Sequence, residues 1–195
     1  MPRITDGNSK MGAVANLSLP PVLTCNKKAP CAKRGCYAKC FRRFPIVRDT
    51  WAHNFDQWKR RPDVYERQID DHLNEHVPSL FRWHVAGDIP DAAYWEMMLR
   101  IAEYHWDVKF LVFTKQYHFI KGRIPSNMSV VLSAWPGMPI PAGLRRRFRV
   151  AWLNDHNQPD DRIPKNALTC HGNCEACGLC WELKSIGRDV KFDRH

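Results

Sequence analysis

All eight cysteines of this sequence fall in two short segments, 25–40 and 170–180, with none in the long stretch between. The later segment reads Cys170-His-Gly-Asn-Cys174-Glu-Ala-Cys177-Gly-Leu-Cys180, a C-x3-C-x2-C-x2-C spacing. So dense a run lets four thiolates converge on one centre, and Gly172 and Gly178 permit the unusual backbone angles this needs. Cysteine is the standard ligand of iron–sulfur clusters, and a C-x2-C-x2-C run is one of the spacings that hold them. Zinc also takes four cysteines, usually from two separated C-x2-C knuckles. The run therefore points to an iron–sulfur cluster of the 4Fe–4S type, with zinc as the alternative.

The earlier segment, Cys25, Cys31, Cys36 and Cys40, is looser, C-x5-C-x4-C-x3-C, and matches no zinc knuckle. Lys27, Lys28, Lys33, Arg34 and Lys39 are interleaved with it. Cations so placed are expected to lower thiol pKa values and favour thiolates. Each segment could hold its own centre, or the two could share one.

The compartment decides whether such thiols pair or bind metal. No stretch approaches the roughly 18 apolar residues of a membrane helix, and the N-terminus lacks the apolar core of a secretory signal. The expectation is a cytoplasmic protein with no membrane partner, where thiols stay reduced and serve metals. Hydrophobic residues at 44 % and charged residues at 26 % are ordinary globular composition, and 195 residues suit a single α/β domain spanning 1–195. The formal charge of +10 favours nucleic acid or another polyanion as a partner; a cluster would instead call for a redox partner. There is no HExxH, P-loop, GxGxxG or GxSxG motif, so zincin, P-loop nucleotide, dinucleotide and serine-hydrolase chemistry lack their signatures.

The elements that must position the thiols alternate. Strands are predicted at Ala13 to Leu19, Phe81 to Ala86, Lys109 to Thr114, Met128 to Ala134 and Phe148 to Leu153. Helices are predicted at Val47 to Lys59, Pro62 to His76 and Asp91 to His105, with short ones at Gln116 to Lys121 and Pro141 to Arg146. The first cysteine group falls in an irregular loop. Strands alternating with helices argue for a mainly parallel sheet with right-handed crossovers. The chain is short for a full eight-fold barrel of about 250 residues, so a shortened or partial (β/α) barrel fits best, with a doubly wound open sheet as the other option. Functional loops then lie at strand carboxyl ends. Gly87-Asp88, Thr114-Lys115-Gln116, Ser133 to Trp135 and Asn154-Asp155 all fall there. His84, alternating with Arg82, is the first further site candidate, although a buried histidine is as often core.

Asn8-Ser-Lys-Met-Gly12, Asn16-Leu-Ser-Leu-Pro-Pro21, Cys36-Tyr-Ala38, Phe81 to Asp88, Thr114-Lys115, Ser133 to Pro136 and the closing cysteine run together resemble the gene product 88 family of phage and bacterial proteins. That resemblance implies a phage-encoded protein of the host cytoplasm and brings no established activity. A more distant resemblance is to radical S-adenosylmethionine enzymes, which are barrels with a three-cysteine loop after the first strand. It implies a cluster on Cys31, Cys36 and Cys40, with Gly87 and Asp88 near the amino group of S-adenosylmethionine. The family's C-x3-C-x2-C spacing occurs instead at Cys170, Cys174 and Cys177, where Cys180 supplies a fourth thiol. The functional expectation is an iron–sulfur protein in electron transfer or radical S-adenosylmethionine-like chemistry, against a zinc-stabilised nucleic-acid-binding protein.

Overall fold

The structure is a computed structural model that describes residues 1–7, 10–41 and 43–193. Asn8 and Ser9, part of the motif above, and the side chain of Arg34 lie outside the described residues. Seven strands form one all-parallel sheet: β1 (Ala15–Leu17), β2 (Leu80–Trp83), β3 (Lys109–Thr114), β4 (Met128–Ala134), β5 (Arg149–Asn154), β6 (Leu168–Thr169) and β7 (Val190–Asp193). Their spatial order is β1-β2-β3-β4-β5-β7-β6.

The expected barrel does not close. The outer edge of β1 is taken by Thr5, which pairs antiparallel with Asn16 through N–H···O bonds of 2.9 and 2.8 Å. A strand edge already paired cannot accept β6, the strand at the far end of the sheet.

Alternation along the strands gives the sheet two apolar faces. Phe81, Trp83, Phe110, Val112, Val130, Leu132, Val150 and Trp152 pack on one face against helices α3 (Pro45–Arg60), α4 (Pro62–His76) and α5 (Ala92–Tyr104). Those helices form because their apolar residues recur at helical spacing: Tyr65, Ile69 and Leu73 in α4, and Tyr94, Trp95, Met98, Ile101 and Ala102 in α5, are buried. Pro45 and Pro62 open α3 and α4, and Asp91 caps α5 by accepting from the Tyr94 N–H at 2.8 Å. Each large side chain buried here contributes roughly 1.5–3 kcal/mol.

Leu111, Val131, Ala151 and Val190 line the opposite face. What covers them follows from the strand order. From β1 to β5 the chain steps one way along the sheet, so right-handed crossovers all fall on the helical face. From β6 to β7 it steps back, and a right-handed crossover then falls on the other face. That crossover is the second cysteine segment, with α7 (Cys174–Cys177) and α8 (Leu183–Ile186). Sequence periodicity missed β6, β7, α7 and α8, each four residues or fewer. It also read 25–40 as irregular, whereas the segment holds α1 (Pro30–Arg34) and α2 (Tyr37–Phe41). The short helix after β4 is α6 (Ala142–Arg147), and Tyr117–Phe119 is a single 3-10 turn.

Candidate functional site

The first cysteine segment is latched to the carboxyl ends of β2 and β3 through Asp88. Its Oδ1 accepts from the Thr114 hydroxyl at 2.6 Å and from the Ile89 N–H at 2.9 Å, and its Oδ2 accepts from the Lys115 N–H at 2.8 Å. The Asp88 N–H donates to Thr24 Oγ1 at 3.1 Å, Gln116 Nε2 to the Thr24 carbonyl at 2.9 Å, and Asn26 Nδ2 to the Lys115 carbonyl at 2.9 Å. Thr24 and Asn26 flank Cys25, so both neighbours of that thiol are tied to the strand ends. Gly87 has φ +82°, and a Cβ there would stand 2.6 Å from the Leu19 carbonyl oxygen. Only glycine allows that close approach of backbone to backbone.

This latch brings Gly87, Asp88, Thr114 and Lys115 together with Cys25, Cys31 and Cys36. The Cys25 thiol is pushed up to about 12, first by burial and next by the Asp88 charge, while Lys115 pulls it down. Burial also raises Cys31, against Lys115, and raises Asp88 in spite of its hydrogen bonds. The expected lowering of the thiol pKa values by interleaved lysines therefore fails for these two. Lys27, Lys28 and Lys33 project into solvent, where their charge is screened, while the thiols are partly buried. Cys40 is exposed at the end of α2.

The other predicted residues separate. His84 stands one position past β2 with φ +58°, its ring buried against Tyr94, whose hydroxyl lies 3.3 Å from Nε2. Burial, then the Arg82 charge, depress it to about 3, so the ring is neutral and lies in the helical-face core. Ser133 and Trp135 lie further along the strand-end edge, their carbonyls accepting from Tyr117 at 2.6 Å and Arg162 at 3.2 Å.

The second segment lies on the other face of the sheet. Cys170, Cys174 and Cys180 pack against the Leu111, Val131 and Ala151 layer. Trp181 is buried and donates to the Phe81 carbonyl at 3.2 Å, and Ser129 Oγ donates to the Cys180 carbonyl at 2.9 Å. The chain's start clasps the segment from outside: the Cys174 N–H donates to the Lys10 carbonyl at 3.1 Å, and the Ala13 N–H donates to Glu175 Oε2 at 3.0 Å. The neighbouring thiols act on Cys174 and Cys180. Cys180 is raised to about 12 by burial, then by Cys170, with Arg82 opposing and Cys174 and Cys177 adding to the rise. Cys174 is raised by burial and by Cys170 and Cys177, with Arg82 and Lys10 opposing.

Arg82 was the residue that sequence reasoning undervalued. Its side chain rises from β2 on the cysteine face, with Nη1 3.4 Å from the Met11 sulfur and the guanidinium 4.9 Å from the Phe113 ring centroid. Nε is buried without a partner. No carboxylate pairs with Arg82 among the described residues. It acts electrostatically on Cys174 and Cys180, and on Tyr37 within the first cysteine segment. The signal available was its alternation with Phe81 and Trp83, which sets a cation on the opposite face from two buried aromatics. Thr24 and Asn26, also missed, read as ordinary turn residues.

Among the described residues, no three Cys, His, Asp or Glu side chains stand close enough to grip a single ion. No helix is long and apolar enough to cross a membrane. Taken together, these features define an open parallel α/β protein with one thiol set at its strand ends and another on the face opposite α3, α4 and α5. The chain belongs to the gene product 88 family, whose model matches residues 3–183. No curated protein and no solved structure matches it.

Proposed function

We propose that the protein is an iron–sulfur protein that carries its cluster on Cys170, Cys174, Cys177 and Cys180 and works in electron transfer. One observation carries the reading: the reversed crossover carries the whole C-x3-C-x2-C-x2-C run, with Cys170, Cys174 and Cys180 packed on the sheet face from which Arg82 rises, a half-buried guanidinium with no carboxylate partner among the described residues. A buried cation without an anion is costly, and a thiolate-bound cluster is anionic. The donor set is soft and sulfur-only, as clusters require. When bound, the cluster supplies one-electron transfer. The chain's own residues fix its surroundings: Leu111, Val131 and Trp181 exclude water from one side, and the Lys10–Ala13 clasp orders α7. Metal must displace protons from thiols that burial keeps neutral, so loading favours high pH.

The radical S-adenosylmethionine alternative would use Cys25, Cys31 and Cys36 with Asp88. It is the weaker reading, because both Asp88 oxygens already accept hydrogen bonds that hold the loop. Protein purified without oxygen is expected to be brown and to contain iron and acid-labile sulfide in equal amounts, with a reduced-state electron paramagnetic resonance signal. The paired substitution Cys174→Ala and Cys177→Ala is expected to remove both elements. Colourless protein with stoichiometric zinc and no sulfide, even after anaerobic reconstitution, overturns the proposal in favour of a zinc site.

A further inference from the structure

Between Cys25 and Arg48 the sequence has four Lys, four Arg and no Asp or Glu. Eight positive charges in this one segment are most of the excess that gives the chain +10. A basic run is usually a solvated face, but this one also exposes aromatic rings: Tyr37 is 55 % exposed, Phe41 47 % and Phe44 46 %. Tyr37 and Phe41 stand one turn apart on α2 and so share a face. The Tyr37 hydroxyl donates to the Val85 carbonyl, which fixes the ring. The Arg43 guanidinium lies 5.0 Å from the Phe44 ring centroid. Lys33, Lys39 and Arg43 are exposed around these rings.

From this we infer that α1, α2 and the start of α3 form a docking surface for single-stranded nucleic acid. Phosphates would pair with the Lys and Arg side chains, and unstacked bases would lie on the rings of Tyr37, Phe41 and Phe44. Cationic tracks interleaved with aromatic platforms are how single strands are bound without sequence preference. A duplex offers the same phosphates but keeps its bases stacked on one another. An anionic membrane would instead favour one long amphipathic helix with an apolar stripe, and α1 and α2 have five residues each. This inference does not rest on the iron–sulfur reading, since none of these side chains is a thiol.

The test is fluorescence anisotropy of the full chain with labelled oligo(dT) and oligo(U), a duplex of equal length and phosphatidylglycerol vesicles. Single strands are expected to bind more tightly than the duplex, with an affinity that falls steeply with salt, each phosphate contact adding about −0.7 to the log–log slope. Lys33→Ala with Arg43→Ala should weaken binding and flatten that slope. Phe41→Ala with Phe44→Ala should weaken it by about tenfold or more while leaving the slope unchanged, since a stacked base is worth ~1–3 kcal/mol. Unchanged thermal melting and iron content in both variants would keep these results separate from folding and from the metal site. Equal affinity for DNA and RNA is expected, and preference for either still supports the surface. No binding at low salt overturns it. So does a duplex bound as well as single strands, indifference to the loss of both rings, or preference for vesicles.

Discussion

Cys170, Cys174 and Cys180 rest on the apolar layer of the sheet's second face, whereas Cys25 is held by hydrogen bonds of its neighbours at the strand ends and Cys31 touches the edge of the helical-face core. The second segment is a crossover between neighbouring strands, so the sheet itself fixes both ends of the run. The first is a long excursion between β1 and β2, fixed through Asp88, Thr24 and Asn26 while much of its surface stays basic and exposed. Packing suits a rigid centre that must not reorganise. A hydrogen-bonded loop with exposed rings and cations suits contact with a partner. The two cysteine groups, alike in having four cysteines each, are thus suited to different work.

The largest effect is expected from breaking the packed segment. Trp181→Ala removes a buried indole from the cysteine face and should cost about 3–5 kcal/mol. Chemical denaturation measures that loss. Iron content of the folded fraction should fall, while amide exchange at 24–26 stays slow. Asp88→Ala attacks the other segment. It leaves the Thr114 hydroxyl and the Lys115 N–H without an acceptor and should cost roughly 2–3 kcal/mol. Limited proteolysis should then cut between Cys25 and Cys40, with iron retained on the second segment.

Acid sharpens the comparison next. In the folded chain His84 is depressed to about 3, while an unfolded histidine titrates near 6.5. The unfolded state therefore binds the extra proton first, and this contribution to stability is lost as pH falls below about 6.5, by up to ~1.4 kcal/mol per pH unit. Asp88 is raised by burial, so it acts oppositely: above its unfolded value of about 4, protonation favours the folded state. His84→Gln should flatten the stability profile below about pH 6.5, and a wild-type profile of the same slope would contradict this. The smallest effect belongs to the clasp. Glu175→Ala removes the acceptor of the Ala13 N–H and should lower stability by about 0.5–1 kcal/mol, read as a small fall in melting temperature.

The long elements were legible in the sequence because their apolar spacing is decided locally. Helix α4 and strands β3 and β4 have the predicted bounds. The strand-end cluster of Gly87, Asp88, Thr114 and Lys115 was legible for the same reason, since a parallel sheet must gather such residues at one edge. The open edge was not legible: it depends on Thr5 pairing with Asn16, a contact without a local signature. Nor were β6 and β7, two and four residues long, which become strands only by pairing with each other and with β5. The thiol environment was misjudged because charge along the sequence was weighed without burial, which dominates at Cys25 and Cys31.

The central claim, that the packed segment carries an iron–sulfur cluster, is tested most directly by one comparison of metal content. Wild-type chain, a Cys25→Ala/Cys31→Ala variant and a Cys174→Ala/Cys177→Ala variant are purified anaerobically and assayed for iron, labile sulfide and zinc. The account predicts equal iron and sulfide in the wild type and in the first variant, and loss of both from the second. Iron and sulfide that survive loss of Cys174 and Cys177, or zinc without sulfide in the wild type, would contradict it.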